Sequence, residues 1–85
     1  MFNKVIYKKK ALKAVEKMPK KIADQFFNAF DKLAENNEDG LGVKKLNGRE
    51  GFRLRIGGYR AIYTIHGKQL IILVLDAGPR GGIYK

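Results

Sequence analysis

The stretch FRLRIGGYRAIY, residues 52–63, restricts the fold more than any other part of the chain. Apolar residues alternate with arginine over 52–56, and the alternation resumes after Gly57-Gly58. A period of two marks strands with one buried face, and a glycine pair between them marks a tight hairpin. A two-residue turn pairs Ile56 with Tyr59, Arg55 with Arg60, Leu54 with Ala61, Arg53 with Ile62, and Phe52 with Tyr63. Phe52, Leu54, Ala61 and Tyr63 then share one face, and Arg53, Arg55 and Arg60 share the other. A one-residue slip would drive the arginines into the core, so the register is strongly specified. It also sets Arg55 directly opposite Arg60, a like-charge pairing that costs up to about 1 kcal/mol.

The rest of the chain supplies something for the apolar face to pack on. Residues 2–7 read as an opening strand rich in β-branched and aromatic residues. Residues 8–18 read as a helix with Leu12, Val15 and Met18 on one side. Pro19 belongs at a helix start and not in a helix interior, so a second helix begins there. Ile22, Phe26, Phe30 and Leu33 form its apolar stripe. Its polar side carries Asp24, Gln25, Asn28, Asp31 and Lys32, and Asn36, Asn37 and Gly40 end it. Residues 41–51 read as a connecting stretch. After the strands over 52–56 and 59–66, Gly67-Lys68 reads as a second two-residue turn leading to a strand over 69–76, apolar in its middle and hence central. In that register Ile65, Leu70, Ile72 and Val74 join the core face, together with Asp76. Ile62, Thr64, Ile71, Leu73 and Leu75 surround the arginines, more apolar surface than a solvated face needs, which points to cover from the chain's own C-terminus or a partner segment. Residues 77–85, rich in glycine, read as irregular. The expected architecture is α+β, in the order β-α-α-β-β-β, an antiparallel sheet on a two-helix hairpin, with residues 1–85 as a single domain.

Charge narrows the function. Eighteen Lys and Arg against eight Asp and Glu give +10 over 85 residues. That balance means long-range attraction to polyanions: RNA, DNA, a ribosome, an acidic protein or an anionic membrane. Residues 1–43 carry nine basic and six acidic side chains, whereas residues 44–85 carry nine and two. All five arginines, Arg49, Arg53, Arg55, Arg60 and Arg80, lie in the second part. Arginine grips phosphate through a planar fork, which lysine cannot do. The absence of cysteine excludes disulfides, thiolate metal sites and cysteine nucleophiles. The longest apolar run, residues 70–75, is far too short to cross a bilayer. The N-terminus lacks the plan of a signal peptide, so a cytoplasmic protein without a membrane role is expected.

Lys45-Leu46-Asn47-Gly48, the run from Phe52 to Tyr63, and Arg80 followed four residues later by Tyr84 together resemble the RelE toxins of bacterial and archaeal toxin–antitoxin pairs. The resemblance spans essentially the whole chain and is most specific over residues 45–63. It implies a RelE-like fold and a ribosome-dependent mRNA endonuclease that uses no metal or other cofactor. Such an enzyme cuts the codon in the ribosomal A site by attack of a ribose 2′-hydroxyl, leaving a 2′,3′-cyclic phosphate and a 5′-hydroxyl. It implies a cognate antitoxin as partner, besides the ribosome and mRNA.

By matching position, Arg53, Arg55 and Arg60 would hold the scissile phosphate and Arg80 would stabilise the transition state or leaving group. Tyr84 would stack on a base or assist proton transfer, while Lys44, Lys45 and Arg49 would grip RNA phosphates. Two positions depart from the pattern. Arg55 stands where relatives carry a lysine proposed as general base, and arginine keeps its proton too firmly for that task. Pro79 stands where many relatives carry a histidine. His66, Tyr63 and Tyr84 are the other groups able to move protons, with His66 reading as a solvated turn residue. Two alternatives share the fold: a ParE-like poison of DNA gyrase, which needs no acid or base, and a non-catalytic module that binds RNA and antitoxin.

Overall fold

The computed structural model describes residues 4–35, 37, 39–67 and 71–79. Strand β1 (Val5–Tyr7) leads into helices α1 (Lys9–Glu16) and α2 (Lys20–Ala34). Four strands follow: β2 (Gly42–Lys45), β3 (Phe52–Ile56), β4 (Tyr59–His66) and β5 (Ile71–Pro79). They form one sheet in the order β1-β5-β4-β3-β2. Every pairing is antiparallel except that of β1 with β5. The α+β class and the helix pair on one sheet face are as the sequence implies, whereas the sheet is mixed and not wholly antiparallel, because β1 runs parallel to β5. No helix among the described residues is long and apolar enough to cross a membrane.

The helices break where proline requires it. Pro19 lies in extended backbone just before α2, and its carbonyl accepts the amide of Ala23 at 2.9 Å. Ala11, Val15 and Met18 face the core from the first helix and its end, so the stripe is centred on small Ala11 while Leu12 is only partly buried. From α2 come Phe26 and Phe30, both fully buried, with Ala23, Ala29 and Leu33. The sheet answers with Leu54, Ala61, Tyr63, Ile72 and Val74. Rings order this core: Phe30 meets Tyr63 edge-on at 5.4 Å, Phe52 stacks on Tyr63 at 5.4 Å, and Tyr7 meets Phe27 at 5.5 Å. Such pairs add about 0.5–1.5 kcal/mol each beyond area burial.

The β3–β4 hairpin has the register expected from its alternation, from Phe52↔Tyr63 to Ile56↔Tyr59. Gly57 takes the positive φ, 58°, that a two-residue turn of this kind demands. Three further features differ from the sequence reading. Part of the stretch read as a connection, Gly42–Lys45, is a strand, because Val43 lands opposite Leu54 and packs on the core. Its lysines suit an edge, where charge discourages pairing with other chains. The connection after β4 is longer than two residues, with His66 opposite Ile71, and residues 68–70 lie outside the described residues. Finally, β5 extends through Ala77, Gly78 and Pro79, where glycine content predicts irregular structure.

That last strand contains a bulge. Tyr63 pairs with Val74 while Ile62 pairs with Asp76, so Leu75 is passed over. A bulge shifts the alternation by one residue. Ala77 thereby joins the core, at 5% exposure, and Asp76 turns to the arginine-bearing face. This corrects the placement of Asp76 on the helix side.

Candidate nucleic-acid interface

The register lays the cations out in two rows across the sheet face away from the helices. One row runs Gly42, Arg55, Arg60, Gly78 across β2, β3, β4 and β5. The next runs Lys44, Arg53, Ile62, Asp76. Arg55 and Arg60 are thus direct partners, as are Lys44 and Arg53. Arg53 and Arg60 are half-buried, whereas Arg55 and Lys44 are exposed. Burial of Ile62 and Thr64 on this side shows that the face is covered in part.

A loop over residues 46–51 does some of the covering. Leu46 donates its amide to the Gly51 carbonyl at 3.0 Å, closing the loop. Gly51 is buried at φ 125°, where a Cβ would stand 3.0 Å from the Tyr63 carbonyl and 3.3 Å from both Leu46 Cδ1 and Thr64 Cγ2. Only glycine lets the loop lie this close to β4. The loop therefore holds Arg49 and Asn47 beside the strand arginines.

Lys44, Lys45, Arg49, Arg53 and Arg60, with Leu46 and Asn47, line a cleft of about 350 Å³. No carboxylate among the described residues lines it. Five of the eight residues that the sequence marked for this site meet here. The Nε–H of Arg53 is buried and meets no acceptor among the described residues. Arg55 stands just outside, in an adjoining hollow of about 490 Å³ that it shares with Lys44 and Arg53. Arg80 and Tyr84 lie outside the described residues.

Among the described residues, the groups able to move protons are placed elsewhere. Tyr63 is in the core at 2% exposure. Tyr7 is held well above its ordinary value, first by burial and then by the negative charge of Asp31, and lies among α2 rings. Thr64 Oγ1 and His66 Nε2 share a hydrogen bond of 2.7 Å. His66 is six residues along the strand from Arg60, a separation of roughly 20 Å. The cleft is thus equipped to bind and stabilise negative charge.

The sequence reading missed Asp76. Its carboxylate accepts the Ala77 amide at 2.9 Å and pairs with Lys10 of α1 at 3.3 Å. No acidic residue occupies the first turn of α1, which begins with lysines, so Asp76 supplies negative charge where the helix dipole and Lys10 favour it. Nothing in the local sequence announces a bulge, although the adjacency of Asp76 and Ala77 is consistent with one.

Comparison with known proteins adds the following. Residues 5–84 match the family model described as ParE toxin of type II toxin-antitoxin system, parDE. The chain is 32% identical over 83 residues to a RelE-like toxin protein of Escherichia coli, covering 94% of this chain and 85% of that one. Its fold matches the archaeal RelE–RelB complex from Pyrococcus horikoshii with a TM-score of 0.78 and 31% identity, over 96% of this chain and 99% of that one. It matches the isolated E. coli RelE toxin with a TM-score of 0.75 and 18% identity, over 94% and 85% of the two chains.

Proposed function

The chain belongs to the RelE/ParE family of type II toxin–antitoxin toxins, and we propose that it acts as a ribosome-dependent mRNA endonuclease in the cytoplasm, restrained by a cognate antitoxin. The observation that carries this reading is the cleft that, among the described residues, is lined by five cations and no carboxylate. Attack by a ribose 2′-hydroxyl puts extra negative charge on the scissile phosphate as the phosphorane forms. Fixed cations aimed at that charge lower the barrier without any protein nucleophile. Arg53 and Arg60 hold the phosphate, and its oxygen gives the Arg53 Nε–H an acceptor. A buried donor left unmet costs about 1–3 kcal/mol, so the free site is primed for an oxyanion. Arg55 secures the neighbouring phosphate. Lys44, Lys45 and Arg49 grip the RNA backbone. Arg80 and Tyr84 complete the site, the first on the leaving group and the second stacking on a base, where such contacts contribute roughly 1–3 kcal/mol.

Archaeal RelE was solved in complex with RelB, which supports an antitoxin partner here. With Arg55 in place of a lysine and His66 distant, catalysis rests on charge stabilisation and positioning more than on a general base. The decisive experiment is primer-extension mapping of transcripts after induction. Cuts within translated codons are expected, and Arg53→Ala and Arg60→Ala should relieve growth arrest while remaining folded. Full toxicity in both variants would sink the site assignment. A second reading has its own support, because the matching family model is described as a ParE toxin: a gyrase poison would leave transcripts intact and break DNA.

A further inference from the structure

We propose that the RNA-binding surface continues past the arginine face, turns round the β2 edge, and ends on α2, where Gln25, Asn28 and Lys32 hold single-stranded RNA flanking the scissile position. This rests on the nucleic-acid reading of the cleft and extends it to a second face of the molecule. Three hollows carry the inference because they share walls. The cleft described above and the 490 Å³ hollow at the β2–β3 edge have Lys44 and Arg53 in common. That hollow and a third, of about 380 Å³, have Arg55 in common. The third lies between α2 and the start of β2, with Gln25, Asn28, Lys32 and Gly40 in its wall.

Chemistry along the track is of one kind. Among the described residues, no aspartate or glutamate lines any of the three hollows. Positions 25, 28 and 32 share one side of α2 by helical spacing. Of its acidic residues, Asp24 pairs with Lys20 at 3.0 Å, and neither Asp24 nor Asp31 lines a hollow. Neither Lys32 nor Arg55 is ion-paired among the described residues. Gln25 and Asn28 offer both donors and acceptors, which suits a ribose 2′-hydroxyl or a base edge. Gly42, opposite Arg55 at the strand edge, has no side chain to block the passage. The route bends within the width of one strand and one helix, roughly 15 Å. A duplex is far too stiff for that bend, whereas a single strand follows it.

The test is fluorescence anisotropy with two single-stranded RNAs methylated at every 2′-oxygen, a trinucleotide and a nonanucleotide. Lys32→Glu should weaken the nonanucleotide by about fivefold at low salt and leave the trinucleotide unchanged. Its salt slope should fall by roughly 0.7, one phosphate contact on a single strand. Lys32→Gln should show a smaller loss of the same kind. Lys17→Glu makes the same charge change outside all three hollows and should alter neither RNA by more than about twofold. Equal effects of Lys32→Glu and Lys17→Glu, or equal effects on both RNAs, would overturn the track and leave the cleft intact. Failure of the unaltered protein to bind either RNA would overturn the nucleic-acid reading itself, and the track with it.

Discussion

Gly51→Ala tests how the cleft is built. The loop over residues 46–51 reaches the sheet only because Gly51 holds φ 125° and has no side chain. An alanine there costs about 1–3 kcal/mol in backbone conformation alone. Its Cβ also meets the Tyr63 carbonyl at 3.0 Å, a backbone atom of an internal strand that cannot swing aside. The loop must then lift, giving up the hydrogen bond from Leu46 to Gly51, worth about 1 kcal/mol. The sum is about 2–4 kcal/mol, against roughly 4–13 kcal/mol of total stability for a chain of this length. Gly48→Ala separates the two causes. Gly48 has φ 74° in the same loop, with nothing within 4 Å of where its Cβ would stand, so only conformational strain of about 1–2 kcal/mol applies. Urea unfolding of both variants measures the difference. The midpoint should fall for both and distinctly further for Gly51→Ala, with the slope unchanged. Under native conditions Gly51→Ala should also weaken RNA binding, because Arg49 and Asn47 leave the cleft with the loop. Equal losses for the two variants, or a loss below about 0.5 kcal/mol at Gly51, would refute the claim that close approach of the loop shapes the site.

Three further outcomes follow from the same geometry. Arg55→Gln removes a like-charge pairing and should raise stability by up to about 1 kcal/mol at low salt, a gain that shrinks as salt is added, while RNA binding weakens; paired urea melts and anisotropy titrations check both signs. Asp76→Asn breaks an ion pair whose lysine is exposed, so the stability loss should stay within about 1 kcal/mol, and RNA affinity should rise by roughly twofold as the arginine face loses its carboxylate. Tyr7 titrates higher in the folded chain than its ordinary value of 10.0, so its contribution is complete below that pH and is lost as pH rises beyond it. Between pH 10 and 11 the unaltered protein should lose up to about 1.4 kcal/mol more than Tyr7→Phe; parallel slopes in alkaline melts would contradict this.

What the sequence disclosed depended on whether a residue could be moved without penalty. The β3–β4 hairpin was legible because displacing Arg53 and Arg55 by one position buries two cations. The short strand β2 was not, because two lysines, a glycine and one valine have no β signature of their own. It exists through tertiary pairing, Val43 on Leu54, which single-segment propensity does not see. The run over residues 70–75 was harder still: all its residues are apolar, so either face suits them and the alternation says nothing about phase.

The phase of β5 is instead decided at its polar end. Had the alternation from Ile72 and Val74 continued unbroken, Asp76 would point between sheet and helices. An unpaired carboxylate there costs several kcal/mol. Passing over Leu75 avoids that cost, brings small Ala77 inward, and lets Asp76 meet Lys10. The bulge is therefore the least costly way to run an apolar strand into Asp76-Ala77. The only carboxylate within the described strands consequently faces the arginines. It tempers their charge from beside the cleft without lining it, so binding strength should depend on Asp76 even though no RNA phosphate need touch it.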